Sequence, residues 1–351
     1  MRVVVVGATG NVGSSVVEVL AADDQVDSIV GIARRRPTWQ PPKTTWVQAD
    51  VSRDDLDGQF AGADAVIHLA WIFQPTHDEL ATWRNNVLGS IRVFDAVARA
   101  GVPVLVYASS VGAYSPGPDD DGVDESWPTH ALPTAAYGRE KSYLERVLDG
   151  FERDHADIRV VRMRPGFIFK REAATEQRRL FGGPLVPTSL IRPALLPVVP
   201  DLPGLRLQAL HSRDAAHAYR LALIRPVHGA FNLAAEPVLD ARTLGEILGA
   251  RPIKLPVPPI RAAVAAAWNL HLLPASPTLV DLALSLPVMD TARARSELGW
   301  TPTISSLDTI REFLEGLRDG SGMDTPPLDP KAGGRFRYRE LATGVGQRAR
   351  M

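Results

Sequence analysis

The residues in this chain best suited to chemistry are a tyrosine and a lysine four positions apart, in the run Tyr137-Gly138-Arg139-Glu140-Lys141. On a helix that spacing puts both side chains on one face, one turn apart. A free phenol, with a pKa of about 10, is a poor acid or base at neutral pH, so it needs a neighbouring cation to stabilise phenolate. Lys141 is placed to supply it, and with only five lysines among 39 basic residues a chance pairing is less expected than in a lysine-rich chain. Upstream, Val104-Leu105-Val106-Tyr107-Ala108 runs into Ser109-Ser110. A hydroxyl at the end of an apolar strand either binds a substrate oxygen or caps the next turn.

A second element lies at the N-terminus, where Val3–Val6 lead into Gly7-Ala8-Thr9-Gly10-Asn11-Val12-Gly13. Four valines fit a buried parallel strand and Ser14–Leu20 fits an amphipathic helix, so Gly7, Gly10 and Gly13 punctuate a strand-to-helix turn. Such a turn needs residues without Cβ, because the backbone must turn tightly and approach a pyrophosphate closely, while the helix N-terminus offers its unpaired N–H groups. The next apolar run, Ser28–Ala33, reads as the second parallel strand; an acid at its end would hold the ribose hydroxyls of NAD. Here the end is Arg34-Arg35-Arg36. Arg34 and Arg35 suit a 2′-phosphate, since guanidinium matches phosphate oxygens in a charged, bidentate way. The expected cofactor is NADP, with NAD possible; an exposed basic loop without a ligand is the alternative.

The elements that must position these groups follow from periodicity. Thr45–Val47, Ala65–Leu69, Val104–Ala108 and Ile158–Arg164 read as strands, and Asn85–Ala100 and Tyr137–His155 carry apolar residues at helical spacing. That alternation predicts an α/β fold, a doubly wound parallel sheet with helices on both faces. From about Pro165 proline-dense segments, Pro184–Pro203 and Pro252–Pro259, depart from regular sheet. Leu207–Leu223 and the short strand Gly229–Leu233 read as returning to the main fold. At 351 residues the chain can bury a substantial core. Its net charge of −1 gives no global argument for nucleic acid or a membrane surface. No cysteine is present, which excludes disulfides and thiolate nucleophiles. The eight histidines show no paired ligand spacing, so no metal is expected. With no leader or long apolar segment, the expectation is a cytoplasmic protein.

With these residues in view, the chain resembles an extended short-chain dehydrogenase/reductase of the NAD-dependent epimerase/dehydratase group. The matching pieces are Gly7–Gly13, Ala49-Asp50-Val51, His68-Leu69-Ala70, Asn86–Ser90, Tyr107–Tyr114, Tyr137–Lys141, Arg164-Pro165-Gly166, Gln208–Asp214 and Leu298-Gly299-Trp300-Thr301-Pro302. They stand in the family's order over about residues 1–316. The resemblance implies a Rossmann-type NAD(P)-binding domain over 1–165 with 207–233 returning to it and a smaller substrate-binding lobe of 166–206 and 234–318; the Gly-, Pro- and Arg-rich composition of 319–351, without apolar periodicity, predicts a disordered tail. It implies that Gly7, Thr9, Gly10, Asn11, Val12, Gly13 and Pro165 bind the cofactor, that Asp50 and Val51 meet its adenine end, and that Leu69 and Ala70 lie along it. Ser110, four residues before Tyr114, would orient the substrate and outranks Ser109. Tyr137 would be the acid/base, Lys141 would bind the nicotinamide ribose and depress the Tyr137 pKa, and Asn86 would support the site. His211 reads as structural, and a homodimer is possible.

Two departures bear on the substrate. Leu207 stands where many sugar-nucleotide members carry a diphosphate-binding arginine, and Trp71-Ile72-Phe73 is bulky and apolar where small or polar residues are frequent. An aromatic pair near the nicotinamide favours an apolar carbonyl over a sugar, with core packing the alternative for either ring. Lys170, Arg171, Arg178 and Arg179 form a basic cluster able to receive a diphosphate. The leading expectation is therefore hydride transfer to or from a small carbonyl or alcohol. The rivals are a nucleoside-diphosphate-sugar epimerase or dehydratase with tightly bound NAD, and a non-catalytic NADP-sensing regulatory protein.

Overall fold

The computed structural model describes residues 1–118, 121–186, 197–332, 334 and 345–346. In the first strand, β1 (Arg2–Val6), all four valines are fully buried and part by parity: Val3 and Val5 enter one apolar cluster, Val4 and Val6 another on the opposite face. A strand apolar on both faces has to be covered on both. Each fully buried valine stabilises the fold by roughly 1.5–3 kcal/mol relative to exposure.

The chain meets that requirement by alternation. After β1 come α1 (Asn11–Ala21), β2 (Ser28–Ala33), β3 (Thr44–Gln48), α2 (Asp57–Phe60), β4 (Ala65–His68), α3 (Glu79–Trp83), α4 (Gly89–Arg99), β5 (Val104–Ala108), α5 (Ala136–Asp154) and β6 (Arg159–Pro165). Then follow β7 (Phe167–Phe169), α6 (Ala174–Gln177), β8 (Val198–Asp201), β9 (Ala209–His211), α7 (Ser212–Ile224) and β10 (Gly229–Leu233). Seven strands make one sheet in the order β10-β6-β5-β4-β1-β2-β3, with all neighbours parallel. Helices α1 and α7 cover one face, and α4 and α5 the other. This is a Rossmann-type sheet, whose order reverses between β1 and β4 and opens a crevice beyond their C-terminal ends.

The remaining elements are α8 (Ala241–Leu248), β11 (Arg251–Lys254), α9 (Val257–Asn269), α10 (Pro277–Ala283) and α11 (Ser306–Asp319). Two small parallel pairs, β7 with β9 and β8 with β11, lie outside the main sheet.

Strands of the main sheet fall within a residue or so of their expected positions. The helix expected at 85–100 is broken differently, because a π turn over Arg84–Leu88 precedes α4. Residues 294–300, expected in the substrate lobe, instead add Ala294, Leu298 and Trp300 to the main core, where the Trp300 indole donates to Asp214 O at 2.9 Å. The segment from 319, expected to be disordered, is packed over 321–332: Thr325 and Leu328 are buried to 1% and 0% exposure. An apolar side chain and its carbonyl-bonding neighbours outweigh the Gly- and Pro-rich composition there. Residues 187–196 of Pro184–Pro203, and all of the basic end Arg335–Arg350 but 345–346, lie outside the described residues. Among the described residues no helix is long and apolar enough to cross a membrane.

The turn after β1 is as tight as three glycines allow. A Cβ on Gly13 would stand 2.2 Å from Gly7 O, a backbone atom that cannot swing aside. Gly13→Ala should therefore lower unfolding stability by about 1–3 kcal/mol or more in a urea titration, whereas a wild-type midpoint would refute this packing.

Candidate active site

The glycine turn faces the crevice. Gly7 has φ +87, and a Cβ there would meet Ala70 N at 2.6 Å, so the turn lies directly on the end of β4. Leu69 N donates to Val6 O at 2.8 Å, and Leu69 packs on the core. A Cβ on Gly10 would meet only Gly7 O at 3.7 Å, which leaves open space above the N-cap of α1, where no side chain caps the first N–H groups. Asn11 donates to Ile168 O while its Oδ1 is buried without a partner; Val12 packs inward. Arg34 holds Nη1 buried without a partner, and Arg35 is exposed beside the Glu176 carboxyl. An uncapped helix N-terminus, a cradle that a Cβ would fill and an unpaired guanidinium nitrogen fit a dinucleotide phosphate.

Asp50 is held differently. Its Oδ1 accepts from Ser52 N and Ser52 Oγ, so it caps the turn after β3, and Val51 is buried against Gly89. Pro165 closes β6 opposite Leu233 of β10. Lys170 buries its ammonium against Ser14 Oγ at 2.7 Å and Ser15 Oγ at 3.1 Å on α1. The expected basic cluster is thereby divided: Arg171 pairs with Glu315 and Asp319 on α11, Arg178 donates to Gly183 O, and Arg179 to Pro327 O. Each cation thus has an acceptor of its own among the described residues, while Lys170 and Arg179 also act together on the Glu176 carboxyl.

Tyr137, Ser110 and Lys141 are brought together at the C-terminal end of β5. Ser109 donates to Glu145 at 2.5 Å and points into the fold, and Ser110, the next residue on extended backbone, faces the other way. Ser110 accepts from Gly112 N at 3.0 Å, so it caps its turn, and its hydroxyl and the Tyr137 ring both lie against Gly112, where a Cβ would stand 3.4 Å from Ser110 Oγ and 2.7 Å from Tyr137 Cε1. Lys141 is 3% exposed; its Nζ donates to Ala108 O at 2.6 Å and lies 3.5 Å over the Trp71 ring. The expectation that Lys141 depresses the Tyr137 pKa is not met. Burial pushes the phenol up to about 12, with Ser110 acting to lower it, because the ammonium is turned to Ala108 and Trp71.

Aromatic rings wall this corner. Phe73 stacks on Tyr137 at 5.3 Å and 13°, Trp71 meets it edge-on at 5.7 Å, and Phe181 meets Phe73 edge-on at 5.2 Å. The wall is held by Asn86, whose amide pairs with Ile72 through both N and O at 2.9 Å. Asn86 Nδ2 also donates to Glu140 at 2.7 Å, and Thr82 donates to the other Glu140 oxygen at 2.6 Å. The π turn aims Asn86 at both partners.

Residues 3–234 match the model of the NAD dependent epimerase/dehydratase family. This chain belongs to that family. A protein of Mycobacterium tuberculosis without assigned function is 25% identical over 327 residues, which cover 92% of this chain and 31% of that protein, so the chain spans about a third of that relative's length. The sterol-4-alpha-carboxylate 3-dehydrogenase of Saccharomyces cerevisiae is 32% identical over 122 residues, 34% of each chain. Among solved structures, the UDP-glucose 4-epimerase of Thermus thermophilus in complex with NAD aligns over 91% of this chain and 99% of its own, with TM-score 0.65 and 22% identity. At that identity the likeness speaks for the fold.

Three parts of this family member's site escaped the sequence reading. Glu140 is a buried carboxyl raised by burial and held by neutral donors; its only signal was an acid beside Lys141 on an inward helix face. Glu145 meets Arg162 and Arg164, each at 3.0 Å, and although burial raises it, the two guanidiniums hold it down at about 2. Two arginines alternating on an otherwise apolar strand, Arg162 and Arg164, were the available clue. Glu176, pushed up to about 7 by burial against the pull of Arg179, Lys170 and Arg35, gave none.

Burial draws Lys141 from 10.5 down to about 7, against Glu140 and Glu145. Between those values the unfolded chain binds a proton that the folded chain does not, so stability rises with pH across the window and the full cost stands below pH 7. Lys141→Met should thus stabilise the nucleotide-free protein by on the order of 1–3 kcal/mol near pH 7. The gain should fade towards pH 10, and a gain that grows with pH would contradict the assignment.

Proposed function

We propose that this chain is an NADP-dependent oxidoreductase that transfers hydride to or from a small carbonyl or alcohol, with Tyr137 as the acid/base. The observation that carries the proposal is the placement of Tyr137 beside Ser110 across Gly112, among the apolar rings of Trp71 and Phe73 and one turn from Lys141. Tyr137 gives its proton to the substrate oxygen in carbonyl reduction and takes it back in alcohol oxidation. When bound, the nicotinamide supplies or accepts the hydride.

Ser110 orients the substrate oxygen toward Tyr137. Lys141 holds the nicotinamide ribose. Trp71, Phe73 and Phe181 exclude water and give the substrate an apolar bed. Gly7, Thr9, Gly10, Asn11, Val12 and Gly13 hold the pyrophosphate end. Arg34 and Arg35 take the 2′-phosphate, for which the unpaired Arg34 Nη1 is the support. A sugar nucleotide is the weaker substrate reading, because Lys170, Arg171, Arg178 and Arg179 answer separate acceptors.

Screening ketones and aldehydes with NADPH tests this reading directly. Tyr137→Phe should keep nucleotide binding and lose about 10²–10⁴-fold in turnover; retained activity would remove the tyrosine from the mechanism. Replacing both arginines, Arg34→Ala with Arg35→Ala, should weaken NADPH by about 10-fold or more while leaving NADH binding within a few-fold. Equal weakening of both nucleotides would dismiss the phosphate clamp.

A further inference from the structure

The segment after α11 returns across the whole molecule to the glycine turn. Thr325 Oγ1 donates to Thr9 O at 2.9 Å, a contact 316 residues apart in sequence, and both partners are buried. From there the segment touches two further sides of the same region. Trp39 N, in the loop that follows Arg34–Arg36, donates to Asp324 O at 3.2 Å. Arg179, beyond α6, donates to Pro327 O at 2.6 Å, and Thr175 of α6 donates to Ser321 O at 2.7 Å.

Its own shape is set internally. Met323 N donates to Leu328 O, Leu328 N to Thr325 O, and Leu328 is fully buried. Pro326, Pro327 and Pro330 restrict the backbone and remove donors that would otherwise be left unpaired. Gly322 lies under Leu328 and Pro330, where a Cβ would stand 2.4 Å from Leu328 O.

These anchors surround the region where the adenosine half of a dinucleotide is read: the glycine turn on one side, the loop after β2 on a second, and α6 with the turn that follows it on a third. Glu176 belongs to the third side and faces Arg35, Arg179 and Lys170, so this side too bears charges suited to a phosphate-bearing ligand. We infer that residues 321–330 form a strap that is a wall of the nucleotide site, closing over the adenosine half and governing nucleotide release. The inference rests on the dinucleotide reading of the preceding section and adds a binding segment to it. Thr325 is the pin, because its hydroxyl joins strap to glycine turn and its loss leaves the buried Thr9 carbonyl unpaired.

The test uses the full chain and NADPH. Its dissociation is followed by the change in NADPH fluorescence on chase with excess NADP, for wild type and for Thr325→Val. Backbone amide exchange of Met323, Asp324, Thr325, Leu328 and Trp39 in wild type, with and without NADPH, gives a readout that needs no variant. The strap predicts about 3- to 10-fold faster release from Thr325→Val, the worth of one hydrogen bond. It also predicts slower exchange of those amides when NADPH is bound. Nucleotide binding with both release and exchange unchanged would overturn the strap and leave the dinucleotide reading standing. A wild-type chain that binds neither NADPH nor NADH would overturn both.

Discussion

The buried carboxylate of Glu145 is the tie on which the site depends. It is fully buried on α5, grips Arg162 and Arg164 of β6, and receives the Ser109 hydroxyl from the end of β5. Removing one partner of such a cluster costs about 3–5 kcal/mol, because it strands a charge away from water. Here the geometry matters as much as the energy. Glu145 lies one helical turn beyond Lys141 and two beyond Tyr137, so its attachment to the sheet sets the rotation of α5 and presents both residues to the crevice. By claiming Ser109 it also decides which of two adjacent serines faces the tyrosine. Arg164 extends the tie through Tyr114, whose hydroxyl donates to Asn232 on β10 at 2.6 Å.

A second chain of contacts runs from the same helix outward. Glu140, Asn86 and Ile72 connect α5 to the arm that carries Trp71 and Phe73. The residues proposed for proton transfer and the rings that cover them are thus hung from neighbouring positions of one helix, one set pointing to the sheet and the other to the π turn. This explains how apolar bulk is tolerated where the family more often has small residues. Trp71 offers its ring face to the buried Lys141 ammonium, beside the Ala108 carbonyl and the Tyr107 ring.

What the sequence disclosed and withheld follows from the range of each interaction. β1, β5 and β10 were legible because a buried parallel strand is a local pattern of apolar residues, and the glycine turn because its conformation excludes side chains. Tyr137, Ser110 and Lys141 were legible through spacing within one helix and one strand end. Glu145 with Arg162 and Arg164 was not, since its partners come from separate elements that only the fold aligns. The partners of the basic cluster were withheld for the same reason: four cations near in sequence take acceptors on α1, on α11 and on two backbone carbonyls, while Lys170 and Arg179 also act on Glu176. Composition misled at 321–332, where Gly and Pro suggested disorder although Leu328 has a seat in the fold.

The contact between Thr325 and Thr9 also orders events in time. A chain emerging at roughly 5–20 residues per second presents its glycine turn well before the segment that pairs with it. The partner of that turn follows 316 residues later, which at those rates is roughly 15–60 s. During that interval β1 can pair and α1 can dock while the adenosine side of the crevice stands uncovered. Until that segment has been made, the Thr9 carbonyl stands without the Thr325 hydroxyl, so this contact closes after β1 has had time to pair and α1 to dock.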